Sequence, residues 1–301
     1  MNEDNDPIVS IGLPIYNGEK FLKEKLESIF DQTLKNYELI ISDNNSSDNT
    51  KKICEEFLKK DSRIKYFHQI NNEGPFANFN FVLKKSTRKF FVWTAVDDMW
   101  ENSFLEKTIN ELMQNNYAVG CTSQVERIGK IINEFEELQD DSWLGKKYKR
   151  IRRNYRKFGT ISVSGSWHKK AETYMKTQSG QAVYSVFRTN ELKKSFQNLP
   201  PYAIDMALIM SVLKYGDIIS IKETLWYYHT EGISSESIRS KLKTKKITLT
   251  ELFTSPSSFV KWTMQKFGIK FVLKNIMFFI FLYSIYPTNI LVEIIFNRKN
   301  N

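Results

Sequence analysis

Apolar residues in the first 125 positions alternate between short runs and helical stripes. Ile8-Val9-Ser10-Ile11-Gly12-Leu13 reads as a strand, and Pro14-Ile15-Tyr16-Asn17-Gly18 breaks it. From Glu19 to Phe30 the apolar positions Phe21, Leu22, Leu26, Ile29 and Phe30 recur along one helical face. Tyr37 to Ser42 predicts a second strand, closed by the polar loop Asp43-Asn44-Asn45-Ser46-Ser47-Asp48. A helix is expected from about Asn49 to Lys60, with Ser47 or Asp48 as its N-cap. Arg63 to His68 is a third strand, and Asn71-Asn72-Glu73-Gly74-Pro75 leads into a helix near Asn78 to Lys85. The aromatic-rich run Phe90 to Val96 then stops in Asp97-Asp98, before a helix near Ser103 to Asn115 and a strand near Tyr117 to Ser123.

Four strand–helix alternations at close spacing predict a parallel, doubly wound sheet with helices on both faces. Ligands of such sheets bind outside the carboxyl ends of the strands. The polar turns all fall on that side. Asp97-Asp98 would there offer two negative oxygen ligands, which suit a hard cation such as Mg²⁺ or Mn²⁺ bridging to a phosphate. Read one at a time, the same residues also fit bland roles. Pro14, Asn17 and Gly18 make a turn, Asp43 and Asp48 suit local caps, and Asn72-Glu73-Gly74-Pro75 is a turn by composition.

The series Pro14-Ile15-Tyr16-Asn17-Gly18, Asp43 with its Asn/Ser/Asp loop, Asn72-Glu73-Gly74 and Asp97-Asp98 resembles, in order and spacing, the inverting glycosyltransferases of family 2. The resemblance covers roughly residues 7–235 and is most specific through about residue 100. It implies the A-type glycosyltransferase fold, an α/β fold with a mostly parallel central sheet flanked by helices. It also implies a nucleotide-sugar donor, UDP- or dTDP-linked, and Mg²⁺ or Mn²⁺ as cofactor. Pro14, Tyr16, Asn17 and Glu19 would line the nucleotide pocket, with Tyr16 against the base. Asp43 would accept a hydrogen bond from the base imide. Asn45 and Gly74 would lie near the nucleotide, where a small residue permits close backbone approach. Asp97 would hold the ribose or the metal, and Asp98 would coordinate the metal. The chain departs from the family's commonest pattern at Ala95, where many members carry another Asp.

The second half must supply the acceptor side and a general base. Gln181 to Arg188 resembles the family's strand before the acceptor helix, and Pro200-Pro201-Tyr202-Ala203-Ile204-Asp205-Met206 would open that helix, running to about Tyr215. The resemblance makes Asp205 the candidate base; its other reading is an acid stabilised at a helix N-terminus. Ile204 stands where family members often carry a second acid. Tyr227 to Ser235 resembles a segment that often holds a His near the metal, which brings in His229 as a candidate ligand. A lone His is also commonly a satisfied or surface residue. His68 and His168 receive no role.

At 301 residues the chain has length for one large domain, with an appendage. The reading is a catalytic domain over 1–240, divided into a nucleotide-sugar half at 7–125 and an acceptor half at 126–240. A basic linker and membrane-associating helices would follow over 241–301. Cys54 and Cys121 lack metal-ligand spacing and read as reduced thiols of a cytoplasmic protein. Asn2-Glu3-Asp4-Asn5-Asp6 does not resemble a signal peptide.

The net charge of +10 is concentrated in two clusters. Residues 146–157 hold eight cations in twelve positions, and Arg239 to Lys246 is the second cluster. Such clusters can be solvated surface or can attract polyanions. From Phe259 to Phe296 the chain is aliphatic and aromatic, interrupted by Pro287. Its longest apolar run is shorter than the roughly 20 residues of a spanning helix. Lys261, Lys266, Lys270 and Lys274 lie upstream, as on a helix resting at a lipid surface. Peripheral attachment to an anionic membrane is therefore expected, with core helices or a re-entrant or spanning segment as alternatives. That placement suits a lipid-linked or cell-surface glycan acceptor, and no nucleic-acid partner is expected. A non-catalytic basic adaptor on an inactive scaffold remains the alternative function. A nucleotidyltransferase would need a Gly-rich basic loop after the first strand, and nicotinamide chemistry a G-x-G-x-x-G there; Pro14 to Gly18 is neither.

Overall fold

The computed structural model describes residues 7–129, 160–177, 180–229 and 249–283. Both basic clusters and the apolar residues after 283 lie outside them.

One eight-stranded sheet runs through the molecule in the order β3-β2-β1-β4-β7-β6-β8-β5. The strands are β1 (Val9–Ile15), β2 (Tyr37–Asp43), β3 (Ile64–His68), β4 (Phe90–Trp93), β5 (Met99–Trp100), β6 (Ala118–Ile128), β7 (Val186–Arg188) and β8 (Asp217–His229). β3, β2, β1 and β4 are parallel, as the alternating pattern requires. The second half departs from the doubly wound expectation. β7 enters antiparallel between β4 and β6, β6 pairs parallel with β8, and β5 closes the edge antiparallel to β8. The sheet is thus mixed, parallel only over its first half and between β6 and β8.

Side chains alternate across this sheet with a period of two. Phe90 and Val92 of β4 point into one core, Phe91 and Trp93 into the other. The first core is covered by α1 (Glu19–Phe30), α2 (Thr50–Leu58) and α4 (Phe104–Gln114). The second is covered by α3 (Pro75–Lys85), α5 (Trp167–Thr177), α6 (Thr189–Ser195) and α7 (Ile204–Val212). α8 (Leu249–Phe267) and α9 (Ile269–Lys274) pack on this same side. Phe259, Trp262, Phe267, Phe271 and Val272 are buried there, as are Phe278 and Phe279 of the following helical stretch, 276–283. Among the described residues no helix is long and apolar enough to cross a membrane.

Register positions the site. Ile15, Asp43 and His68 are in line across β1, β2 and β3, so three strands end on one level. β4 stops earlier: its Trp93 lies opposite Gly12. The apolar run therefore does not carry its strand to Asp97, and 94–98 forms a turn that re-enters the sheet as β5.

Candidate active site

The loops after β1, β2 and β3 form one hydrogen-bonded surface. Asn17, at φ 51°, donates its N–H to Ser46 Oγ at 2.8 Å, and its Oδ1 accepts the Ser47 N–H at 2.9 Å. Glu19 donates its N–H to Asp48 Oδ2 at 3.0 Å, while its carboxylate accepts from Asn49. Gly18 fits beneath because a Cβ there would lie 2.6 Å from Ile15 Cγ2. Asn44 Nδ2 donates to Asn72 Oδ1 at 2.8 Å, and Asn44 Oδ1 accepts the Glu73 N–H at 3.1 Å. Asn78 reaches up from α3 and donates to the carbonyls of Ile15 and Ser42. Sequence-predicted Pro14, Tyr16, Asn17, Glu19, Asp43, Asn45 and Gly74 therefore share one end of the sheet.

Their individual settings differ. Tyr16 is 44% exposed, an aromatic face open at the rim. Asn45 is exposed in the left-handed region, at φ 63°. Asp43 is fully enclosed. Its Oδ1 accepts the Ser46 N–H at 2.9 Å, and its Oδ2 accepts the Tyr66 hydroxyl at 2.9 Å and faces His68 Nδ1 at 3.2 Å. Gly74 has φ 84° at the N-terminus of α3, with nothing within 4 Å of where a Cβ would stand. Glycine is required there by backbone conformation, and the space beside it is open.

The 94–98 turn supplies the acidic end of the site. Asp97 and Asp98 are both buried. Burial, and then the neighbouring Asp97 charge, push the Asp98 carboxyl above the usual range. The Lys25 charge, then the Trp226 side chain and the main chain of His229, oppose that shift. The Trp226 indole N–H lies near the carboxyl but off hydrogen-bond geometry, so it acts as a nearby dipole. The His229 main chain thereby lies beside Asp98, while its ring is 5.2 Å from that of Phe21. Asp98 Oδ1 is buried without a hydrogen-bond partner.

That orphaned oxygen tests the fit of a divalent cation, since a buried acceptor left unpaired is costly. Two adjacent carboxylates suit Mg²⁺ or Mn²⁺. Among the described residues no three Asp, Glu, His or Cys side chains form a ready-made metal cluster, so the protein would leave much of the coordination sphere to another ligand. The donor set fits a cation shared with a diphosphate.

Asp205 lies in the first turn of α7, preceded by Ala203 in the left-handed region at φ 52°. The expected helix start at Pro200 is displaced to Ile204, the first residue after the left-handed Ala203. Asp205 is open to solvent, yet desolvation raises its carboxyl above the usual range. A recess that admits water while crowding the side chain with protein atoms accounts for both. A Cβ on Gly180 would stand 3.8 Å from Asp205 Oδ2, which places the 3₁₀ helix Gly180–Tyr184 against it. Tyr184 of that helix feels the charges of Asp98, Asp97 and Asp205, and its ring lies 5.3 Å from that of Trp226. The acidic pair and Asp205 thus flank one tyrosine.

Three residues of this region were not singled out by sequence. Tyr66 and Tyr184 sit within ordinary apolar runs and carry no signal of their own. Lys25 does: it interrupts the apolar face of α1 between Leu22 and Leu26. It is fully buried, and burial lowers its pKa against the opposing pull of Asp98 and Asp97.

Residues 10–184 match the sequence model of glycosyl transferase family 2. The chain belongs to that family. A Campylobacter jejuni relative, the GalNAc(5)-diNAcBac-PP-undecaprenol beta-1,3-glucosyltransferase, is 35% identical over 148 residues, covering 47% of each chain. The chain spans less than half the length of several curated relatives it matches, including an uncharacterized glycosyltransferase of Haemophilus influenzae at 45%. In fold it resembles S. aureus TarS 1–349 in complex with UDP-GlcNAc, with a TM-score of 0.57, 18% identity, and 76% and 61% of the two chains covered. The Pyrobaculum calidifontis mannosyltransferase PcManGT in complex with GDP-Man and Mn²⁺ gives a TM-score of 0.51 at 14% identity, covering 94% and 83%.

Proposed function

We propose that this family 2 member transfers a sugar from a UDP- or dTDP-linked donor to an acceptor hydroxyl with inversion at the anomeric carbon. The observation that supports this most is the convergence of the β1, β2 and β3 loops with Asp97, Asp98 and Asp205 at one end of the sheet. Tyr16 offers its exposed ring to the base, and Asn17, Asn45 and Gly74 edge the nucleotide. Asp43 sets the floor of the base pocket through the Tyr66 and His68 side chains it holds.

A divalent cation held by Asp98 and Asp97, with His229 beside them, would neutralise charge growing on the leaving nucleoside diphosphate. Asp205 takes the proton of the acceptor hydroxyl as that oxygen bonds to the anomeric carbon. The bond from that carbon to the diphosphate oxygen breaks on the opposite face. The raised pKa of Asp205 strengthens it as a base.

The acceptor in this reading is a lipid-linked or cell-surface glycan, met at the cytoplasmic face of an anionic membrane. Two features support it. The Campylobacter jejuni relative is named for a PP-undecaprenol compound. The 269–283 helices also leave Ile269, Leu273, Ile276, Met277 and Ile280 exposed, beside exposed Lys266, Lys270 and Lys274.

Calorimetry with a panel of UDP-, dTDP- and GDP-sugars in Mn²⁺ tests the donor reading. One uridine or thymidine sugar should bind. A folded protein that binds no nucleotide, while retaining salt-sensitive binding to anionic liposomes, would favour the adaptor function instead.

A further inference from the structure

Lys25 is among the largest fully buried side chains of the protein, yet its Nζ has no hydrogen-bond partner. A buried ammonium without partners is costly, and an apolar residue at this position of α1 would complete the stripe of Phe21, Leu22, Leu26 and Ile29. Core packing therefore does not explain a lysine. Its surroundings are specific. Nζ stands 4.1 Å from the centre of the Trp100 ring, two residues beyond Asp98, and that ring is stacked in turn on Phe104. Asp98 presents a second orphaned atom, the buried Oδ1. An ammonium without a hydrogen bond and a carboxylate with one orphaned oxygen are thus brought near each other at the 97–100 turn.

We propose that Lys25 is a positioning residue for the donor site, a fixed internal counter-charge that makes cation binding at Asp97 and Asp98 depend on the donor's diphosphate. The inference rests on the donor site proposed above. The charge count explains the direction. Two carboxylates and one ammonium carry a net −1, a weak attraction for a dication alone. Adding a dication and a diphosphate of charge −2 leaves −1 in the filled site. With both carboxylates ionised, the site without Lys25 carries −2 when empty and −2 when filled. Removing Lys25 should therefore help the bare cation and hinder the diphosphate.

Titration of the protein with MnCl₂ alone, and with UDP at saturating Mn²⁺, tests this. In the wild type, UDP should tighten Mn²⁺ binding at least 10-fold. In Lys25→Met, and equally in Lys25→Gln, Mn²⁺ alone should bind about 10-fold more tightly, while UDP binds about 10-fold more weakly. A structural role would weaken both together. Mn²⁺ affinity unchanged or lowered in a folded variant would overturn the proposal. So would wild-type protein that binds Mn²⁺ equally well with and without UDP, a result that needs no variant. Failure of the wild type to bind UDP under any condition would instead remove the donor site itself, and the role of Lys25 with it.

Discussion

Glu19 and Asn49 are joined twice: Glu19 Oε1 accepts the Asn49 side-chain amide at 2.6 Å, and Oε2 accepts the Asn49 main-chain N–H at 3.1 Å. The carboxylate at the start of α1 thus caps the start of α2, and with Asn17 it locks the β1 loop to the β2 loop. In the proposed donor site its contribution would be to hold the walls of the nucleotide pocket in register. Glu19→Ala should lower stability by about 1 kcal/mol, as the loss of a helix cap does. It should also weaken UDP binding several-fold without changing the metal requirement. Urea unfolding and calorimetry on one preparation measure both.

Asp205 is expected to matter to turnover and little to binding. Asp205→Asn should reduce transfer by at least about 100-fold, the usual scale of lost general-base catalysis. The UDP affinity should stay within a factor of about two, since the substitution leaves the donor loops intact. Because desolvation raises its pKa, protonation disables the base at a higher pH than for an ordinary carboxylate. The acid limb of the rate profile should accordingly lie above pH ~4, and a pH series of kcat/KM measures it.

Glu172 of α5 accepts hydrogen bonds from Lys176 at 2.6 Å and from Lys274 of α9 at 2.7 Å. The Lys176 and then the Lys274 hydrogen bonds hold its carboxyl down at about 2. A depressed carboxylate contributes stability that is complete above the unfolded-state pKa and lost as pH falls toward the folded one. The loss should therefore run from pH 4.5 down to about 2. Both lysines are well exposed, so screening reduces the contribution to about 1 kcal/mol. Glu172→Gln should remove it at neutral pH and loosen α9, measurable as faster amide exchange at Phe271 and Val272.

Gly74 offers a cleaner separation of backbone from packing. Open space surrounds its missing Cβ, so Gly74→Ala meets no steric clash. The cost should be that of an alanine held at φ 84° and ψ 166°, a region essentially kept to glycine, about 1–3 kcal/mol, seen as a lower urea midpoint. A much larger loss would indicate that the α3 N-terminus is more closely confined than its geometry shows.

The parallel half of the fold was legible because each strand and helix there carries its own period. Glu19–Phe30 is α1 to the residue, and β2 exceeds its expected end only by Asp43. Pairings between distant segments were not legible. The strand read from Tyr117 to Ser123 continues to Ile128 because β8 lies alongside it, far away in sequence. Gln181 to Arg188 resembles the family's strand before the acceptor helix, but Ser185 turns back on the Ala182 carbonyl through both its hydroxyl and its N–H. This local bonding makes a 3₁₀ turn and leaves only Val186–Arg188 to pair. In the site, Asp43, Asp97 and Asp98 stood out by position after apolar runs, whereas Asp205 came from the family resemblance. Lys25 was equally visible as a charge on an apolar stripe, yet its meaning depends on Asp98 and Trp100, which only the folded chain brings beside it.

The most direct measurement is a calorimetric titration of UDP in Mn²⁺ and in EDTA, on wild-type protein and on Asp98→Asn. Wild-type protein should bind UDP in Mn²⁺ and lose at least about 10-fold in affinity in EDTA, the difference of one charge-assisted contact. Folded Asp98→Asn should bind equally weakly in both. Metal-independent UDP binding that survives in Asp98→Asn would contradict a donor site built on the acidic pair.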